Sequence, residues 1–194
     1  MTEQERNECS GDCGCACGAT LQVGSAAPEF RMEGIQDPKK DYQHYALSDY
    51  RGKWVVLFFY PADFTFICPT EITGFSDRAE EFTKLNAVIL GCSTDSKHSH
   101  RAWIEREQWK LTYPLLADIT KKVSMDYGVL LEDEGVALRG TFIIDPEGEL
   151  RWMVVSDNNV GRSVGETLRA LQALQTGELC GVEWKLGEKT LGKG

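Results

Sequence analysis

The sequence is short of the features that mark several large classes of protein. Its longest apolar run, Val55–Tyr60 with Trp54 before it, is far too short to cross a bilayer. No positively charged start followed by an apolar stretch opens the chain, which argues against a secretory signal. Only three histidines occur, and they are not spaced as metal ligands on one helix face. Basic residues are the minority: a net charge of −9 argues against non-specific binding to nucleic acid or anionic membrane. No internal repeat is visible. What remains is a 194-residue chain, 42% hydrophobic and 10% aromatic, long enough for one domain with a substantial core.

Cysteine is where the chain is rich. Four of its seven lie within residues 9–17, and the others are Cys68, Cys92 and Cys180. An odd number without a secretion signal fits a reducing, cytoplasmic setting better than a fixed disulfide framework. In that setting cysteines serve catalysis, redox exchange or metal binding.

Residues 1–19 combine charge, Cys and Gly without apolar periodicity and are expected to form a flexible tail. A globular pattern begins near Leu21, and Gly34–Tyr42 reads as a loop or hairpin. Trp54–Tyr60, ended by Pro61, predicts a strand buried on both faces. Ile72, Phe75, Ala79, Phe82 and Leu85 recur at helical spacing and predict one amphipathic helix that stops at Asn86. A second buried strand over Ala87–Gly91 precedes a helix that starts in Ser93–Ser96 and runs to about Trp109. A short helix over Ile119–Tyr127, a hairpin turning at Asp145–Gly148, and a last helix over Val164–Leu174 closed by Gly177 complete the pattern. The order predicts an α/β fold, a central mixed β-sheet with helices on both faces.

Cys68 lies between the first buried strand and the amphipathic helix. Pro69 suits the start of a helix, which puts Cys68 at its N-terminus or in its first turn. Free backbone N–H groups there favour an anion, and the thiolate is the nucleophilic form of cysteine. Thr65, three residues earlier, is expected to bring its hydroxyl beside the sulfur. Taken alone, the position reads better as an ordinary cysteine on a core helix. Cys92, in Ile89-Leu90-Gly91-Cys92, reads as buried and inert.

The run Pro61-x-x-x-Thr65-x-x-Cys68 resembles the active-site signature of the peroxiredoxins, and Phe58–Ile72 resembles the typical two-cysteine subgroup nearly residue for residue. Ser76–Asn86, Asp126–Gly135, Leu138–Asp145 and Val160–Leu174 resemble the same family. So does Gly177-Glu178-Leu179-Cys180 followed by Trp184-Lys185. The resemblance spans about Leu21–Leu191 and is nearest to the bacterial alkyl hydroperoxide reductase C-component branch.

That resemblance implies a thioredoxin-like peroxidase domain over 20–176, with residues 177–194 a flexible segment carrying a resolving cysteine. It implies that Cys68 is the peroxidatic cysteine, that the Thr65 hydroxyl contacts thiolate and peroxide, that Arg139 stabilises the thiolate and orients the peroxide, and that Pro61 shields the sulfur and shapes the pocket. Glu71 and Arg162 are implied to hold Arg139 in place. Taken without the family, surface ion pairing is the lesser reading of Arg139 and Arg162 and a stronger one for Glu71, since acidic residues are common in a helix's first turn. The resemblance further implies an intersubunit disulfide between Cys68 and Cys180, homodimers assembling into a decameric ring, and no cofactor. Re-reduction would fall to thioredoxin or a dedicated flavoprotein reductase.

Two departures stand out. Gly181 follows Cys180 where the family usually has Pro, and the fourteen residues after Cys180 lack the Tyr-Phe pair of the peroxide-sensitive members. The Gly-Gly-Leu-Gly insert of those members is also missing near Glu107–Leu115, so the enzyme is expected to over-oxidise slowly. The cluster Cys9, Cys13, Cys15 and Cys17 has no family counterpart. It reads as uncharacterised tail, as a redox arm, or as a metal site of unusually tight spacing. Two other functions compete. A thiol–disulfide oxidoreductase would need Cys-x-x-Cys at the strand–helix junction, where this chain has Thr65 and Glu71. A ring-forming holdase chaperone would be an additional behaviour.

Overall fold

The computed structural model describes residues 21–194, so the expected tail and Cys9, Cys13, Cys15 and Cys17 lie outside the described residues. Among the described residues, nine strands and five α-helices follow in order. Strands β1 (Arg31–Ile35) and β2 (Gln43–Ala46) form the early hairpin around the Pro- and Asp-containing loop. Strand β3 (Trp54–Phe59) leads to α1 (Cys68–Asp77) and α2 (Ala79–Lys84). Then come β4 (Ala87–Ser93), α3 (Lys97–Glu107), β5 (Leu115–Ala117) and α4 (Lys122–Asp126). A two-residue pair, β6 (Leu130–Leu131) with β7 (Val136–Ala137), precedes the hairpin β8 (Arg139–Ile144) and β9 (Leu150–Ser156). Helix α5 (Val164–Thr176) follows.

Seven strands form one mixed sheet in the order β2-β1-β5-β4-β3-β8-β9. β3, β4 and β5 run parallel at its centre, while β8 pairs antiparallel with β3. The apolar run of β3 is central because it must bury both faces: Val56 and Phe58 join the core under α1, α3 and α5. Val55, Leu57 and Phe59 face a second core closed by Phe30, Val123 and Tyr127. Helices therefore cover both faces, and the thioredoxin-like arrangement holds.

The single helix expected from Ile72 to Leu85 is two. It breaks at Arg78 (φ −104°, ψ 9°), whose N–H turns back to Ser76 O and whose side chain grips Glu81 in two hydrogen bonds. The apolar spacing survives the break because Phe75 and Phe82 pack together in the same core, 6.0 Å between centroids. Packing, not an unbroken hydrogen-bond ladder, fixes the buried face. Leu115–Ala117 has only three strand residues, too few to show a period, and is recognised through its pairing with β1 and β4. Expected helix ends are otherwise close: Ser96 caps α3 by accepting from Ser99 N, and Gly177 (φ 64°) ends α5 in the left-handed conformation that glycine tolerates.

Residues 177–194 contain no helix or strand, yet they are folded against α5. Trp184 is 4% exposed, Arg169 donates to Trp184 O, and Leu179 exchanges backbone hydrogen bonds with Leu191 and Gly192. No helix among the described residues is long and apolar enough to span a membrane.

Candidate active site

Beyond the carboxyl end of β3 the chain turns through Pro61–Ile67 into α1. Crevices outside the carboxyl ends of parallel strands are where α/β sheets hold ligands. Pro61, half-buried, ends the strand, and Cys68 is the first residue of α1 with Pro69 next to it. Pro69 loses nothing there, since the first N–H groups of a helix have no partner inside it.

The turn is held by side chains that sequence reasoning missed. Asp63 accepts from the Tyr60 hydroxyl (2.9 Å) and pairs with His100 Nδ1 (2.8 Å), while its own N–H donates to Asp95 Oδ2 (2.9 Å). His100 Nε2 faces Leu116 O at 3.1 Å. Tyr60 and His100 are fully buried, and burial with the adjacent Asp63 drives the Tyr60 phenol well above its usual pKa. Anchored this way, the loop keeps Phe64 at φ 56°, a costly conformation for a non-glycine residue, with its ring against Trp103. The local sequence signals little of this: Asp63 stands between Ala62 and Phe64, but Asp95 and His100 lie within the polar run Ser93–Arg101.

Around Cys68 the structure gathers Glu71 from the same helix and two predicted residues, Arg139 and Arg162, from distant parts of the chain. The Cys68 sulfur is completely buried, and Arg139 Nη1 donates to it at 3.4 Å. The same nitrogen donates to Glu71 Oε2 at 2.6 Å, and Arg139 Nε and Nη2 both donate to Asn158 O, at 3.1 and 3.0 Å. Arg162 meets Glu71 Oε1 through its backbone N and its Nε, each at 2.9 Å, and reaches Gly140 O and Phe59 O with its other nitrogens. These are not surface ion pairs. The Arg139 and Arg162 side chains are 3% exposed and that of Glu71 2%. Burial pushes the pKa of Arg162 down, opposed by the Glu71 carboxylate. Two guanidinium groups facing one carboxylate place a buried excess of positive charge beside the Cys68 sulfur.

Thr65 departs from expectation in detail. Its hydroxyl donates to Ala62 O at 2.9 Å and makes no hydrogen bond to the sulfur. Cys92 is fully buried, and desolvation raises its thiol well above the ordinary pKa, as expected of an inert cysteine. Cys180 is half-buried, beside the end of α5.

Residues 23–153 match the AhpC/TSA family. The chain belongs to that family of peroxiredoxins. It is 51% identical over 185 residues to peroxiredoxin-2 of Bos taurus, covering 91% of this chain and 92% of that protein. Its fold matches reduced 2-Cys peroxiredoxin of Plasmodium vivax with TM-score 0.81 and 37% identity, over 87% of this chain and 91% of the other. Mycobacterium bovis AhpC matches with TM-score 0.76 and 40% identity, over 85% and 98%. The protein is accordingly a peroxiredoxin, a thiol peroxidase that reduces peroxides with electrons from thiols.

Proposed function

We propose that Cys68 is the peroxidatic nucleophile and Cys180 the resolving thiol of this peroxiredoxin. The Cys68 thiolate attacks the terminal peroxide oxygen, the O–O bond breaks, and the departing oxygen takes a proton to leave as water or alcohol. Cys68 is left as a sulfenic acid. Arg139 does two things: it donates to the sulfur and it offers a rigid positive charge to the oxygens on which charge develops. Asn158 O and Glu71 fix its guanidinium, and Arg162 fixes Glu71, so the donors need no rearrangement during reaction. Pro61 walls the sulfur, and the Thr65 hydroxyl turns from Ala62 O toward the bound peroxide. The observation that carries this assignment is the 3.4 Å contact between a buried guanidinium and a buried sulfur at a helix start.

Cys180 then condenses with the sulfenic acid. The new S–S bond displaces the sulfenic oxygen, which leaves as water, and a thiol reductant, thioredoxin or a flavoprotein reductase, restores both thiols. Because the Cys68 sulfur has no exposure, the first turn of α1 opens for this step. A Cys180 on a neighbouring subunit is the intended partner, within dimers that build a decameric ring. The unpaired Cys68, Cys92 and Cys180 suit a reducing cytoplasm. Residues 20–176 act as the peroxidase domain and 177–194 as its resolving segment.

Peroxide consumption with dithiothreitol or a thioredoxin system tests the roles. Cys68→Ser removes turnover, while Cys180→Ser keeps the first oxidation and loses the disulfide-linked dimer on non-reducing gels. A Cys68→Ser protein that still consumed peroxide with a thiol would refute the assignment.

A further inference from the structure

Four cysteines have no part in the cycle described so far: Cys9, Cys13, Cys15 and Cys17, all outside the described residues. The place where their stretch of chain joins the fold is described. Gly24 N donates to Leu150 O at 2.7 Å and Ala27 N to Gly148 O at 2.9 Å, beside the turn of the β8–β9 hairpin. Gly52 N donates to Pro146 O in the same turn, and Asn86 Nδ2 donates to Gly52 O. Gln175, in the last turn of α5, donates to the neighbouring Leu85 O. Cys180 lies on that helix end, its sulfur 3.5 Å from Thr176 Oγ1 and 3.8 Å from Ala173 O. A short chain of hydrogen bonds therefore links the attachment of the tail to Cys180. Both lie at the end of the sheet where β3 begins, whereas Cys68 lies beyond the end where β3 stops.

Access and reach point the same way. Cys68 and Cys92 are wholly buried, and Cys180 is the one described cysteine with any exposure. Cys9 precedes Leu21 by twelve residues and Cys17 precedes it by four. Extended chain carries those thiols at most about 40 and about 13 Å from that point. Thiols tethered to the same chain meet their target at an effective concentration of order millimolar, without a second molecule.

We infer that the four N-terminal cysteines are a built-in dithiol relay that reduces the Cys68–Cys180 disulfide and is itself reduced by the external thiol. The inference rests on Cys180 being the resolving thiol. A tail thiolate attacks Cys180 Sγ, the Cys68–Cys180 bond breaks, and its electron pair leaves with Cys68 as a thiolate. Arg139 donates to that sulfur, so Cys68 is the better leaving group and attack falls on Cys180. A second tail thiolate then attacks the tail sulfur of the mixed disulfide and expels Cys180, which takes up a proton. Two tail cysteines end as a disulfide, and thioredoxin or another dithiol reopens it. Four tail thiols carry four electrons, enough to reduce the Cys68–Cys180 disulfide twice.

The test uses the reduced full-length chain, freed of small thiols and titrated with hydrogen peroxide. Samples are quenched by alkylation and read by mass spectrometry. In the wild type the Cys68–Cys180 disulfide should form first, then decay as disulfides appear within residues 9–17. Peroxide consumption should approach three equivalents per chain. The variant carrying Cys9→Ser, Cys13→Ser, Cys15→Ser and Cys17→Ser together should consume one equivalent and keep its Cys68–Cys180 disulfide. In Cys68→Ser the tail should stay reduced over the same interval, because its oxidation passes through the active site. A wild-type tail that stays reduced, free or holding a metal, while the Cys68–Cys180 disulfide persists overturns the relay. Tail oxidation equally fast in Cys68→Ser overturns it too, since peroxide then acts on the tail directly. A four-serine chain that forms no Cys68–Cys180 disulfide instead overturns the role of Cys180 itself.

Discussion

The two cysteines of the proposed cycle sit at opposite ends of helices. Cys68 opens α1, where backbone N–H groups point outward, and a guanidinium donates to its sulfur. Cys180 follows the close of α5 and faces oxygens, among them Ala173 O in the last turn. A helix presents partial positive charge at its first turn and partial negative charge at its last. The fold thus offers one sulfur donors and the other acceptors, which suits a nucleophile that must react at once and a partner that must wait. The supports differ as well. Cys68 is held by buried ions drawn from α1, β8 and the loop before α5. Cys180 is held by neutral contacts within about twenty residues of chain.

Substitutions can break that contrast in order of size. Arg139→Met removes the donor to the sulfur and to the leaving oxygen. The rate of sulfenic acid formation should fall about 10²–10³-fold, as when an oxyanion donor is lost, read by stopped-flow fluorescence. Glu71→Gln leaves two buried guanidinium groups without a counter-charge. Unfolding in urea should show a loss of about 3–5 kcal/mol, because removing one partner of a buried pair strands the others. Replacing Trp184 with Ala should act only on the other side of the comparison. Limited proteolysis should cut residues 177–194 faster while the peroxide step keeps its rate. The smallest effect concerns Cys92. With its thiol pKa raised by burial, less thiolate is present at pH 8 than for an ordinary cysteine. Iodoacetamide should label Cys92 only after unfolding.

Much of this arrangement was legible in the sequence, and the gaps have physical causes. The β3 run and the one-sided apolar spacing of α5 each report burial of one element, so local pattern sufficed. The break at Arg78 was invisible because both helices present the same apolar face to one core. β5 is defined by its neighbours, and three residues carry no period. At the site, Cys68, Glu71, Arg139 and Arg162 were identified through family motifs, and the structure adds that their charges are buried together. The anchor formed by Tyr60, Asp63, Asp95 and His100 escaped notice, since nothing local to Asp63 tells that a histidine 37 residues away will pair with it. Asn158 was equally hidden because it acts through its backbone oxygen. Gly181, the departure from the usual Pro, is not required by space: a Cβ there meets nothing within 4 Å.

The claim that matters most is the division of labour between Cys68 and Cys180, and a single-turnover experiment addresses it directly. Reduced wild type, Cys68→Ser and Cys180→Ser proteins are each mixed with one equivalent of hydrogen peroxide, trapped with a sulfenic-acid reagent and analysed by mass spectrometry. Cys180→Ser should carry the trapped adduct on Cys68, wild type should carry a Cys68–Cys180 disulfide, and Cys68→Ser should leave the peroxide unconsumed. An adduct on Cys180 in the Cys68→Ser protein, formed at the wild-type rate, would contradict the account.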